Sequence, residues 1–197
     1  MDTGTAVMST GFVILLICGA IVLIPLVWVA AMYNSLVTLR NLVRNSWSNI
    51  DTELRRRYDL IPNLVETVKG YAAHERQTLQ AVTDARARAV ASTGSPASQA
   101  HDENHLIGTL KTLFAVAERY PDLKASENFL RLQQELVDTE DRIQAARRFY
   151  NGNVKDLNTR IDVFPSNIIA SMFGFQHADY FEVDNLDVKA PVKVAFT

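Results

Sequence analysis

Residues 11–32 read GFVILLICGAIVLIPLVWVAAM, an uncharged run dominated by Ile, Leu, Val and Ala. No other stretch narrows the folding options of the chain so much. As a helix it extends roughly 33 Å, enough to cross a hydrocarbon core about 30 Å thick. A helix apolar on every face has no single seam with which to close a small soluble core. The run also exceeds the roughly 7–15 residues of a secretory signal core. Before it stand Asp2 and no Lys or Arg, and Ile17 precedes Cys18 where a lipoprotein site needs a small residue. The stretch is therefore predicted to be an uncleaved transmembrane helix over residues 11–33, behind a short extracytoplasmic segment, 1–10. Pro25 is expected to kink it mildly.

Charge sets the expected orientation. Arg40, Arg44, Arg55, Arg56 and Arg57 follow the apolar run, whereas no basic side chain precedes it. The positive-inside rule then puts the N-terminus outside and the larger C-terminal part in the cytoplasm, at the inner (plasma) membrane. These arginines are read chiefly as topology signals on a solvated helix face. Contact with anionic membrane lipids, worth about 1 kcal/mol per basic residue at the surface, is the alternative role. The formal charge of −2 excludes the basic footprint of a nucleic-acid binder. A single cysteine, inside the apolar run, fits a compartment without disulfides.

Beyond the run, apolar residues recur in steps of three and four: Leu36, Leu39, Val43, Trp47, Ile50, Leu54, Tyr58, Ile61, Val65, Val68 and Ala72. This is one stripe of a long amphipathic helix. It is expected to continue from the transmembrane helix without a loop, and to kink or reset at Pro62. Asp59 and Asn63 flank that proline and are assigned to satisfy the backbone it leaves unbonded. A further helical stripe passes through Leu79, Val82, Ala85 or Arg86, and Ala89. Residues 92–98, STGSPAS, form a loop. Leu106, Leu110, Leu113 and Ala117 mark another helix, and Phe129 to Ile161 carries the longest clean pattern. The expected fold is all-α. A transmembrane helix continues into an antiparallel bundle of long helices over residues 34–163, with a short helix and an extended tail over 164–197.

Candidate chemistry is sparse. His101 and His105 stand at i,i+4 and could share a metal ion, but Asp102 replaces the glutamate of an HExxH motif and no third ligand stands out. The segment reads as a solvated helix start whose acidic residues suit the helix dipole. The pairs Glu53/Arg57, Asp84/Arg88 and Asp138/Arg142 read as solvated i,i+4 pairs worth about 0.2–0.5 kcal/mol each. No catalytic set, metal site or cofactor site is assigned. Asn128, Asn151 and Asn158 lie on or near the last long stripe and are read as amides that fix helix register.

Several stretches together resemble the LemA family of bacterial membrane-anchored helical proteins. They include Arg56-Arg57-Tyr58-Asp59-Leu60-Ile61-Pro62-Asn63-Leu64-Val65, and Tyr120-Pro121-Asp122 running on to Asn128-Phe129. Further on come Arg147, Tyr150-Asn151 and Phe164-Pro165-Ser166-Asn167. The resemblance implies one N-terminal span, a cytoplasmic bundle and no established reaction. The family's association with peptidases and its magnetosome branch imply a structural or adaptor role. The expectation is a self-associating scaffold, a homo-oligomer, with an adaptor or regulator of a membrane peptidase or other membrane protein as the alternative. The loop 92–98 and the residues beyond Glu182 carry no recognisable family pattern. The clustered aromatics Phe173, Phe175, Tyr180 and Phe181 are expected to fold back on a bundle end as core, with an interface for another subunit or the lipid surface as the alternative.

Overall fold

A computed structural model describes residues 3–184 and 186. Six helices follow in order: α1 Thr3–Tyr71, α2 Arg76–Ala91, α3 Pro96–Ala117, α4 Pro121–Lys124, α5 Glu127–Asp162 and α6 Ser166–Met172. No strand occurs among the described residues. The all-α expectation holds, and α1 runs unbroken from the apolar stretch into the amphipathic one, through both Pro25 and Pro62. Among the described residues, this is one helix long and apolar enough to cross a membrane. The expected extended segment Ala190–Phe196 lies outside the described residues.

The chain divides into two compact units. One comprises Met1–Leu42 and Asp156–His177. In it, Leu36, Leu157, Ile161, Ile169 and Ala170 are buried. Arg160 at the end of α5 donates from Nη2 to Met32 Sδ at 3.3 Å. Ser166 donates to the carbonyls of Arg160 and Val163 at 2.7 and 3.0 Å, closing the corner between α5 and α6. The Ser166 hydroxyl thus bonds back to the preceding helix rather than capping α6. After α6, Gly174 adopts φ +68, the left-handed conformation that glycine reaches without a Cβ penalty.

The other unit comprises Val43–Lys155 and Ala178–Thr197. Its α1 and α5 portions run antiparallel. Trp47 meets Tyr150, with ring centroids 5.4 Å apart, and ten residues further along α1, Arg57 meets Glu140, ten residues back along α5. Helices α2 and α3 form a hairpin across the turn at residues 92–95. Ser95 caps α3 by accepting from the Ser98 N–H at 3.3 Å, and Pro96 occupies the first turn, where its missing N–H costs nothing. The core is built from Ile50, Leu54, Ile61, Leu64 and Val68 of α1, Val82 and Ala85 of α2, Leu106, Ile107, Leu110 and Leu113 of α3, and Leu136, Ile143 and Val154 of α5. The predicted α1 stripe is off by one position near Pro62: Leu64 is fully buried and Val65 only partly so.

Candidate functional site

The second unit closes around charge. Position 57 falls on α1 between Leu54 and Ile61, three and four residues away, so helical geometry turns Arg57 toward the same interior as those two. Its side chain is 1% exposed. Glu103 of α3 and Glu140 of α5 come from the same kind of position, among Leu106 and Ile107 in one case and Leu136 and Ile143 in the other, and both are buried. Arg57 donates from Nη1 to Glu103 Oε2 at 2.9 Å and from Nη2 to Glu140 Oε2. Tyr58 donates its hydroxyl proton to Glu103 Oε1, and the Gln99 amide donates to Glu103 Oε1 at 3.2 Å and to the Tyr58 hydroxyl at 3.0 Å. A single guanidinium thus ties α1, α3 and α5 together.

Two carboxylates face one cation here. Burial pushes the Glu103 carboxyl above its ordinary value of 4.5, against the pull of Arg57, Tyr58 and Gln99. Burial, followed by the charge and hydrogen bond of Glu103, pushes the Tyr58 phenol well above the usual tyrosine range. Both shifts favour the neutral form of the group concerned.

This placement corrects several expectations. Arg57 does not face lipid head groups, and it does not form the solvated pair with Glu53. Arg56 approaches Glu53 instead, at 3.7 Å. Arg40, Arg44, Arg55 and Arg56 are exposed. Glu103 is not part of a solvated helix start: α3 begins seven residues earlier, at Pro96, and the carboxylate lies in the core. No group of three or more potential ligands for a metal ion occurs among the described residues, and His101 points to solvent. Asp59 and Asn63 are also exposed. The Tyr58 carbonyl, which Pro62 leaves without a helical donor, accepts from Arg86 Nε at 2.7 Å. Membership of the α2 stripe gives Arg86 no such role.

An extended strap, residues 178–184 with Leu186, reaches this network. It forms no sheet; side chains hold its backbone. The Tyr150 hydroxyl donates to the Asp179 carbonyl at 2.8 Å. Asn151 donates to the Phe181 carbonyl at 3.0 Å and accepts from the Phe181 N–H at 2.9 Å. Arg147 donates to the Val183 carbonyl. Asn104 of α3 donates to the Glu182 carbonyl at 3.4 Å and accepts from the Asp184 N–H at 2.7 Å. The Leu186 N–H reaches Glu140 Oε1 at 3.5 Å, so the strap touches the buried network itself. The Phe181 ring, fully buried, stands edge-on to Trp47 with centroids 5.2 Å apart. Burial pushes the Tyr150 phenol up to about 12, with the Asp179 charge adding to the shift. Beside the strap lies an open groove of about 660 Å³, lined by Asn104, Arg147, Arg148, Asn151, Glu182 and Asp184 among others.

Three of the motif residues singled out in the sequence, Arg147, Tyr150 and Asn151, therefore converge on the strap. The others do different work. Tyr120 donates its hydroxyl to Glu75 at 3.2 Å beside the Arg119–Glu75 ion pair at 2.9 Å, fastening the α1–α2 corner to the end of α3. Pro121 opens α4 and Phe129 is buried, its ring centroid 6.2 Å from that of Phe114. Asp122 and Asn128 are exposed. An exposed Asn128 does not act as a buried register amide, the role assigned to it from its place near the stripe.

A family model described as the LemA family matches residues 46–196. The chain is similar to magnetosome protein MamQ 2 and magnetosome protein MamQ 1 of Paramagnetospirillum magneticum. Each is 29% identical over 175 residues, covering 76% of this chain and 64% of the relative. It is also similar to protein LemA of Metamycoplasma hominis, 29% identical over 161 residues, covering 79% of this chain and 72% of that protein. The chain thus spans just under two thirds of the length of the magnetosome relatives it matches. The stretch matched by the family model, residues 46–196, spans Arg57, Glu103, Glu140 and the residues that hold the strap. With one apolar helix of spanning length among its described residues, the chain is a membrane protein, and it belongs to the LemA family.

Proposed function

We propose that this protein is a non-enzymatic, single-pass scaffold of the inner membrane, with its N-terminus outside, its bundle in the cytoplasm, and a tendency to self-associate. One observation carries the reading. The most unusual polar group in the molecule, Arg57 with Glu103 and Glu140, is sealed in the core and spends its hydrogen bonds on neighbouring helices. An active site needs its perturbed groups within reach of a substrate. Groups that are buried and mutually bonded serve instead to fix which helices meet and in what register. The product of that design is a rigid helical body on a membrane anchor.

The groove beside the strap favours a second reading, an adaptor for a membrane enzyme such as a peptidase. It presents Arg147 and Arg148 alongside Glu182 and Asp184, a mixed polar surface suited to a charged segment of another protein.

Light scattering on the full-length protein in mild detergent, with electron imaging of the same peak, separates the two. Large regular particles are the result expected of the scaffold. A monomer, or a stoichiometric co-purifying enzyme, would overturn it in favour of the adaptor. A reporter fused to each terminus checks the orientation, and a translocated C-terminus would reverse it.

A further inference from the structure

The first unit leaves an apolar surface open at the point where the apolar run of α1 ends. Phe164 is 78% exposed, Met172 68%, Ile168 52% and Phe173 51%. Ile168 and Met172 stand four residues apart on α6, so they share one stripe of that helix, while Asn167 and Ser171 form the adjacent polar stripe. The buried side of α6, Ile169 and Ala170, packs inward. A short helix in a water-soluble setting would turn Ile and Met inward and leave Asn and Ser outside. Here both stripes are open, and the apolar one has no cover among the described residues.

The position of α6 along α1 says what covers it. The Phe173 ring centroid lies 4.8 Å from that of Tyr33, and the Phe175 ring 5.9 Å from it. Arg160 contacts Met32. Tyr33 directly follows the apolar run of residues 11–32, so α6 sits at the depth where a spanning helix leaves the hydrocarbon. Aromatic rings with one polar end collect at that level. Arg40 stacks over the Phe175 ring at 5.1 Å from its centroid, which puts a cation one or two turns further from the hydrocarbon, at the height of lipid phosphates. The sequence of depths is therefore apolar run, aromatic collar, cation, and the open apolar stripe of α6 lies within it.

We infer that α6, with Phe164 and Phe173, is an interfacial membrane element: it lays its Ile168–Met172 stripe into the lipid surface beside the spanning helix. The chain then holds the bilayer at two places, one crossing it and one lying in its boundary. Such elements enter about 5–10 Å, to the junction of head groups and acyl chains. The inference rests on α1 crossing the bilayer, and the experiment reads that separately.

The test uses the full-length chain with Cys18→Ser, reconstituted into vesicles of phosphatidylcholine and phosphatidylglycerol. Single cysteines at Ile168→Cys, Met172→Cys, Asn167→Cys and Val22→Cys carry the same environment-sensitive fluorophore. Lipids bearing a nitroxide near the head group or deep in the chain act as quenchers. Circular dichroism confirms that each variant keeps its helix content. A deep signature at Val22 reports the span. Expected at 168 and 172 are a blue-shifted emission and stronger loss with the shallow nitroxide than with the deep one, while 167 is quenched less. Water-like, unquenched emission at 168 and 172 beside a deep Val22 would overturn the interfacial helix and leave the span standing. So would energy transfer between copies labelled at 168 without any lipid quenching, which assigns the stripe to a second protein molecule. Equal quenching at 167 also overturns it, because the label rather than the helix face would then be choosing lipid. A Val22 probe in water removes the span and the inference together.

Discussion

Arg86 on α2 donates from Nε, over 2.7 Å, to the carbonyl of Tyr58 on α1. That carbonyl is the acceptor that Pro62, four residues on, cannot serve, because proline has no N–H. The proline therefore does not simply weaken α1. It opens one acceptor, and the neighbouring helix fills it with a charged donor. A hydrogen bond to a charged group contributes about 1.5–3 kcal/mol. Arg86→Met should lower unfolding free energy by about that amount. In a Pro62→Ala background, where the new N–H supplies the acceptor, the same substitution should cost clearly less. A double-mutant cycle from thermal or denaturant melts in detergent checks this, and additive losses would show that the two residues act independently.

Removing Arg57 strands two carboxylates in the core. Arg57→Met should destabilise the second unit by about 3–5 kcal/mol, the usual cost of breaking a buried pair from one side. Exposed pairs such as Arg55–Asp51, at 2.9 Å, give a contrast: Arg55→Ala should change stability by under about 1 kcal/mol. Melting temperatures of the two variants, measured side by side, make the comparison.

The Glu103 carboxyl also predicts a direction with pH. Its folded-state value is raised above the ordinary 4.5, so the folded state binds its proton more tightly than the unfolded chain does. Stability from this group is complete below the unfolded value and is lost as pH rises through the folded one. Glu103→Gln, which cannot ionise, should flatten that dependence. The difference in melting temperature, variant minus parent, should therefore increase from acid toward neutral pH. A difference that stays constant or shrinks would mean that the carboxylate is held ionised.

The strap predicts a local effect. Asn151→Ala removes both hydrogen bonds to Phe181 and should speed amide exchange across residues 179–184, with a global loss of about 1–3 kcal/mol. Because the Phe181 ring touches Trp47, the fluorescence of that tryptophan should change in the same variant. Mass-resolved hydrogen exchange checks the first point, and Trp47 emission in a Trp28→Phe background checks the second.

The helices were legible because burial follows a period. Leu106, Leu110 and Leu113 of α3, and Phe129, Leu132, Leu136 and Ile143 of α5, are buried as their spacing predicts. The charged centre was hidden by the same rule of thumb that worked for the leucines, since a charge on a helix usually marks the wet face. A usable signal existed: Arg57 lies three and four residues from Leu54 and Ile61, and Glu140 lies among Leu136 and Ile143 in the same way. A basic residue inside one apolar stripe and acidic residues inside two others ask for one another. The partner of the proline-opened carbonyl was not legible, because no local rule connects position 58 with Arg86. The strap gave no pattern because its backbone atoms, not its side chains, make most of its bonds. Arg147, Tyr150 and Asn151 stand out as motif residues and Phe181 as one of a cluster of tail aromatics expected to fold back as core, but no local rule joins the two.

The strap's dependence on backbone atoms has a consequence for order of assembly. Trp47 and Arg57 leave the ribosome early, on the helix that enters the membrane, whereas Phe181 and Leu186 emerge more than a hundred residues later. Until then the Trp47 indole lacks its edge-on ring, and Glu140 lacks the N–H of Leu186. The apolar helix is therefore made before the second unit can be sealed by its strap. A chain cut short before residue 179 would thus be inserted yet open, its aromatic interior and its charged centre within reach of the proteases that survey the membrane surface.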